Sequence, residues 1–198
     1  MTQLRDVPSD RPVAGSGVVF GGMVWDVLRD EVDLGAAGSV TREYLRHPGA
    51  VSVIALDDDD EVLLLRQYRH PVRAELWEPP AGLRDVPGED PLDTARRELA
   101  EEADLIAGSW WLLAEYLSSP GASDEALRVY LARDLRPVPA ARRHQREGEE
   151  QGMALAWVPL DEAVAAVRQG RIRNPSAVVG ILAASLSRAG GWADLRPA

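Results

Sequence analysis

The chain has 198 residues, of which 45% are hydrophobic and 27% charged, enough for one domain with a full core or one domain plus a small extension. Its formal net charge is −10 and every one of its 22 basic residues is arginine, which excludes nonspecific nucleic-acid binding through a basic face. The absence of cysteine removes disulfides, thiolate zinc sites and cysteine nucleophiles. No apolar run approaches the roughly 20 residues of a membrane span. Met1–Gly15 carries no apolar signal core, so a cytoplasmic protein that binds neither membrane nor nucleic acid is expected.

In chain order, residues 1–16 read as a flexible arm. Residues 17–48 read as N-terminal antiparallel strands, with a turn at Gly35–Gly38. Val51–Leu56 and Glu61–Gln67 flank the acidic turn Asp57–Asp60 and read as a hairpin. Pro71–Asp90, rich in proline and glycine, reads as loop. A helix is predicted from Asp90 as N-cap, with Pro91 at its first position, to Ala103. Strands follow at Trp110–Leu117, Leu127–Ala132 and Met153–Val158, and Arg136–Gln151 reads as a polar, mobile loop. Asp161–Gln169 and Ser176–Leu186 have helical spacing of apolar residues. The pattern is that of an α+β or α/β/α sandwich.

The chemistry concentrates between Gly82 and Leu105, GLRDVPGEDPLDTARRELAEEADL. On a helix, Leu92, Ala95, Leu99 and Ala103 form one apolar stripe. Glu98 and Glu102 lie one turn apart with Glu101 beside them, giving an acidic patch along the stripe's edge. Like charges this close raise one another's pKa unless a cation sits among them. Oxygen-only ligands suit magnesium or manganese. The competing reading is a solvated helix face.

The segment resembles the Nudix box: a glycine, a glutamate, seven residues, then R-E-U-x-E-E-x-G-U, where U is bulky and apolar. Glu89, Arg97, Glu98, Leu99, Glu101, Glu102 and Leu105 match. Two positions depart from the pattern. Six residues rather than five separate Gly82 from Glu89, and Asp104 replaces the glycine after the paired glutamates. Aspartate tolerates the left-handed conformation that a residue following a helix often adopts.

The resemblance implies a Nudix α/β/α sandwich over residues 49–190, with a mixed sheet, the box helix on one side and C-terminal helices on the other. It implies Glu98 and Glu102 as magnesium ligands, assisted by Glu101 and the Ala81 backbone carbonyl. The Glu89–Arg97 pair would hold loop against helix. A base for the attacking water would come from the run Glu147, Glu149 and Glu150, with Glu150 favoured over Glu149. These loop glutamates could equally serve only solubility.

Other segments resemble the ADP-ribose pyrophosphatase subgroup. RQYRH, Arg66–His70, implies that Arg69 contacts the substrate diphosphate through its guanidinium fork. ELWEPPAG, Glu75–Gly82, matches the subgroup's approach to the box. SPGASDE, Ser119–Glu125, is similar to a loop linked to ADP-ribose specificity, with Glu125 holding substrate or water. In dimeric members the N-terminal strands cross to a partner, which makes Trp25 and Arg42 candidates for contact with the adenosine end. Either could instead be a core aromatic or a surface charge. His47, His70 and His144 are too scattered for a metal site and read as structural or surface residues. The expectation is a magnesium-dependent homodimer that hydrolyses ADP-ribose to AMP and ribose 5-phosphate. Another ADP-sugar, a dinucleotide or a nucleoside triphosphate is the alternative substrate, and a non-catalytic nucleotide sensor the alternative class.

Overall fold

Backbone pairing and side-chain burial organise the chain differently in its two compact units. They are seen in a computed structural model that describes residues 4–145 and 152–198. The first unit comprises the chain up to His47 together with Ser119–Glu125. Three strands, β1 (Val13–Gly21), β2 (Asp26–Asp33) and β3 (Ser39–Arg46), pair antiparallel in the order β1-β2-β3. Val13 pairs with Val32, so β1 reaches back into what reads as a flexible arm in the sequence. Ladder bonds need extended backbone, not apolar side chains, and every residue of β1 is exposed. A single 3-10 turn at Gly35–Ala37 joins β2 to β3; Gly35 and Gly38 take φ values of 68° and 85°, which favour glycine. Ser119–Glu125 docks on β3, where the Leu45 N–H donates to the Ala122 carbonyl at 2.9 Å.

The second unit holds Pro48–Ser118 and the chain from Ala126 on. In order it contains β4 (Ala50–Ala55), β5 (Glu61–Arg69), β6 (Ala74–Glu78), β7 (Ala81–Leu83), α1 (Pro91–Ala103) and β8 (Leu105–Leu117). After the excursion into the first unit come β9 (Ala126–Pro137), β10 (Ala154–Pro159), α2 (Leu160–Arg168), α3 (Pro175–Ala189) and β11 (Arg196–Pro197). One sheet runs β11-β8-β9-β4-β7 and the other β10-β5-β6. The first is mixed, because β4 and β9 run parallel while its other pairs are antiparallel.

Alternation along β4 and β9 sorts the core into two layers. Val51, Val53, Ala55, Tyr130 and Ala132 pack with Ala95, Leu99 and Ala103 of α1. Ile54, Leu56, Val129 and Leu131 pack with Leu160 and Ala163 of α2 and Ala177 and Ile181 of α3. The box helix therefore covers one face and the C-terminal helices the other, as an α/β/α sandwich requires. Packing is tight enough at α3 that a Cβ on Gly180 would stand 2.6 Å from Ile54 Cδ1.

Three local expectations are corrected. β4 and β5 do not form a hairpin: they enter different sheets and share only the bridge Leu56↔Val62. All six residues of β4 are buried, the signature of a strand covered on both faces, and its largely apolar run, broken only by Ser52, suits a parallel partner. The segment Pro71–Asp90 is not all loop, because β6 pairs with β5 and β7 with β4. Pro79 and Pro80 lie between these short strands, where no ladder donor is needed. Likewise β9 extends through Pro137, and a 3-10 turn occupies Ala140–Arg142 in what reads as a mobile loop.

Candidate active site

The N-terminus of α1 is built as its sequence dictates. Asp90 Oδ1 accepts a hydrogen bond from the Leu92 N–H at 2.9 Å, and Pro91 opens the helix. The helix ends at Asp104, which takes the left-handed conformation (φ 55°, ψ 32°) and donates its N–H to the Leu99 carbonyl. The aspartate in place of the box glycine thus keeps the glycine's backbone geometry.

Along the exposed edge of α1, Arg97 gathers three carboxylates. Its Nη1 donates to Glu98 at 2.6 Å and to Glu101 at 3.2 Å, while Nε and Nη2 each reach Glu89 at 3.3 Å. Glu89 also accepts from the Thr94 hydroxyl at 2.8 Å, which ties the loop before the helix to its first turn. The Arg97 hydrogen bonds, followed by that of Thr94, hold the Glu89 carboxyl below the usual glutamate range. The same Glu89 hydrogen bonds raise the pKa of Arg97 above the ordinary arginine value. The cation among these glutamates is therefore in part the protein's own guanidinium, a partner that the repulsion argument from sequence overlooks.

β7 supplies the other wall. The Ala81 N–H donates to Glu102 Oε2 at 2.8 Å, and Glu102 is only 7% exposed. Next to it, the Glu98 carboxyl lies against the bare Cα of Gly82: a Cβ there would overlap the carboxylate and stand 2.5 Å from Glu98 Cγ. Ala81, Gly82, Glu98 and Glu102 thus meet at the junction of β7 and α1. Three carboxylates, Glu89, Glu98 and Glu101, share one guanidinium and Glu102 adds a fourth on the same helix, so the edge keeps a net negative charge. Oxygen-only donors with surplus negative charge fit a hard divalent cation. Among the described residues, no three acidic or histidine side chains are already drawn together as a metal site.

The other residues singled out in the sequence fall as follows. Arg69, on β5, is held by Glu78 of β6 through two parallel bonds, Nε to Oε1 at 3.0 Å and Nη2 to Oε2 at 2.7 Å. Glu78 is 2% exposed, and sequence reasoning missed it. Its only signal is an acid directly before two prolines in the ELWEPPAG segment. Trp25, Arg42 and Glu125 belong to the first unit. There Trp25 stacks on His47 and Glu125 faces the same imidazole, while Arg42 is exposed and its Nη1 donates to the Thr41 carbonyl. Glu147, Glu149 and Glu150, the candidate bases, lie outside the described residues.

Comparison with known proteins agrees with this geometry. The family description "NUDIX domain" matches residues 46–177. An ADP-ribose pyrophosphatase of Mycobacterium tuberculosis is 42% identical over 188 residues, 95% of this chain and 89% of that protein. A methanol dehydrogenase activator of Bacillus methanolicus is 33% identical over 165 residues, 82% of this chain and 86% of the relative. A solved structure described as that of an ADP compounds hydrolase superimposes with a TM-score of 0.76 at 20% identity, covering 94% and 98% of the two chains, and so shares the fold. The chain belongs to the NUDIX domain family, and is a hydrolase of that family.

Proposed function

We propose that the protein hydrolyses the diphosphate of ADP-ribose to AMP and ribose 5-phosphate, with magnesium as cofactor. The observation that carries this reading is the seat of Glu98 against Gly82, beside Glu102 and the Ala81 backbone, on a helix edge with surplus negative charge. A relative that covers almost the whole chain bears the name ADP-ribose pyrophosphatase, which supports the substrate.

Glu98, Glu102 and Glu101, with the Ala81 carbonyl, would hold the ion. When bound, magnesium would neutralise charge on the diphosphate oxygens and favour ionisation of the attacking water. Water attacks one phosphorus, the bridging P–O bond breaks, and the water's proton passes to a carboxylate. Glu150 is our choice for that base and Glu149 the second. Arg69 would direct its Nη1–Nη2 edge at the diphosphate, with Glu78 holding the Nε–Nη2 edge and fixing the guanidinium plane. Trp25 and Arg42 would contact the adenosine end, and Glu125 would hold the substrate or the catalytic water. Glu89 and Arg97 would hold the loop against α1.

The proposal includes a homodimer in the cytoplasm, with residues 17–48 as the dimerisation element and residues 49–190 as the catalytic domain. The exposed apolar residues Val18, Val19 and Phe20 of β1 support such an element. No helix among the described residues is long and apolar enough to cross a membrane.

The test is to incubate the protein with ADP-ribose, with and without magnesium, and to follow AMP by chromatography, with light scattering for the dimer. AMP and ribose 5-phosphate formed only with metal are expected. No turnover of ADP-ribose beside turnover of another ADP-sugar, a dinucleotide or a triphosphate would replace the substrate. Tight binding with no hydrolysis anywhere in that panel would favour a regulatory role, of the kind the activator relative's name describes.

A further inference from the structure

Three side chains from distant parts of the sequence meet in the first unit. The His47 imidazole stacks on the Trp25 indole, with ring centroids 5.7 Å apart and planes inclined by 29°. Its Nε2 lies 3.6 Å from Glu125 Oε1. The His47 side chain is 9% exposed, whereas Trp25 is 43% exposed. Backbone contacts fix this arrangement. The His47 N–H donates to Asp124 Oδ1 at 2.7 Å, the Asp124 N–H donates to the Leu45 carbonyl at 3.2 Å, and the Glu125 N–H donates to Ser123 Oγ at 3.0 Å.

This is an uncommon place for a histidine to be wholly without purpose, because each neighbour gains something different from it. An indole backed on one face by a buried ring loses rotational freedom and presents its other face to a flat partner. Bases stack on such surfaces irrespective of their hydrogen-bonding edges. At 3.6 Å the ring nitrogen stands just beyond direct hydrogen-bond distance of the carboxylate, a gap that a small closure or one bridging water would span to orient it.

We propose that His47 is a positioning residue for the nucleotide, backing the Trp25 indole for stacking on the substrate base and orienting the Glu125 carboxylate for the substrate or its water. The inference rests on the reading of Trp25 and Glu125 as substrate contacts given above. It adds a residue that sequence reasoning sets aside as structural or surface. One imidazole thereby links two binding residues that stand a hundred positions apart in the chain.

Two substitutions separate its two tasks. His47→Phe keeps a flat ring behind Trp25 and removes the nitrogen facing Glu125. His47→Gln keeps a polar group and removes the ring. With ADP-ribose as substrate, Phe should lower kcat by about tenfold and change KM less, as expected for lost orientation of a polar group. Gln should raise KM by roughly three- to tenfold and change kcat less, as expected for a lost ring contact. Circular dichroism and thermal melts of both variants serve as the check on folding. Wild-type values in both variants would overturn the inference while leaving the substrate reading intact. So would equal losses in both parameters accompanied by lowered melting, the mark of a purely structural residue. A wild-type protein inert towards ADP-ribose would overturn the substrate reading and this inference together.

Discussion

At the edge of α1, charged groups are held by short contacts and close packing. In the N-terminal sheet, all nine residues of β1 are exposed and the strands are held chiefly by backbone pairing. The difference is physical. Glu98 and Glu102 are fixed because β7 crowds against the helix, so small changes of shape there should reach the chemistry. The exposed side chains of this sheet, unlike buried Leu28 of β2, can change without disturbing a core, which leaves them available for contacts with substrate or another chain.

The largest effect that sharpens this contrast is on stability. Leu99 is fully buried under α1, and Leu99→Ala should destabilise the fold by about 2–5 kcal/mol, since it removes transfer energy and leaves a cavity. Thr41→Ala on exposed β3 should stay within about 0.5 kcal/mol. Urea unfolding of both variants gives the comparison, and equal losses would break it. Next comes Gly82→Ala, whose added methyl must displace the Glu98 carboxylate. We expect kcat to fall by about ten- to a hundredfold with the far-ultraviolet circular dichroism unchanged, the range seen when groups that orient metal ligands are disturbed. An unchanged kcat would mean that the seat of Glu98 is irrelevant to catalysis.

The smallest effect concerns acid. Glu89 is held below its ordinary pKa of 4.5 by Arg97 and then by Thr94. A depressed carboxylate contributes stability that is present above the ordinary value and is lost as pH falls through the lowered one. Glu89→Gln should therefore lower the melting temperature slightly at neutral pH and converge with the wild type well below pH 4.5, which flattens the acid limb of the profile. The Glu89 side chain keeps 19% of its surface exposed and Arg97 32%, so solvent screens the pair and the change should be slight. An acid limb identical to that of the wild type would show that the pair contributes nothing.

The same contrast explains what could be read from sequence. α1 was legible to its last residue because its signals are local: an aspartate cap, a proline at the first position and an apolar stripe of helical period. The sandwich class was legible from the order of elements and the resemblance implied helices on both faces, but the partner of β4 was not legible. Periodicity reports how a strand is buried, not which strand lies beside it. β6 and β7 were hidden because Pro79 and Pro80 stand between them and dominate the local composition. At the site, Glu98, Glu101 and Glu102 lie within four residues of one another and could be placed on one helix edge from spacing alone, whereas the spacing argument overlooked Arg97 among them. The seat of Glu98 on Gly82, the clasp of Glu78 on Arg69 and the meeting of Trp25, His47 and Glu125 all depend on chain segments brought together by folding. Spacing carries no signal for these.

The central claim is that Glu98 and Glu102 hold the ion on which hydrolysis depends. The direct measurement is ADP-ribose turnover by the Glu98→Gln and Glu102→Gln proteins across a magnesium titration, beside calorimetric metal binding to each. The account predicts a loss in kcat on the order of a hundredfold or more, together with weakened metal binding and an unchanged fold. Turnover and metal affinity equal to those of the wild type in both variants would contradict it and remove the edge of α1 from the reaction.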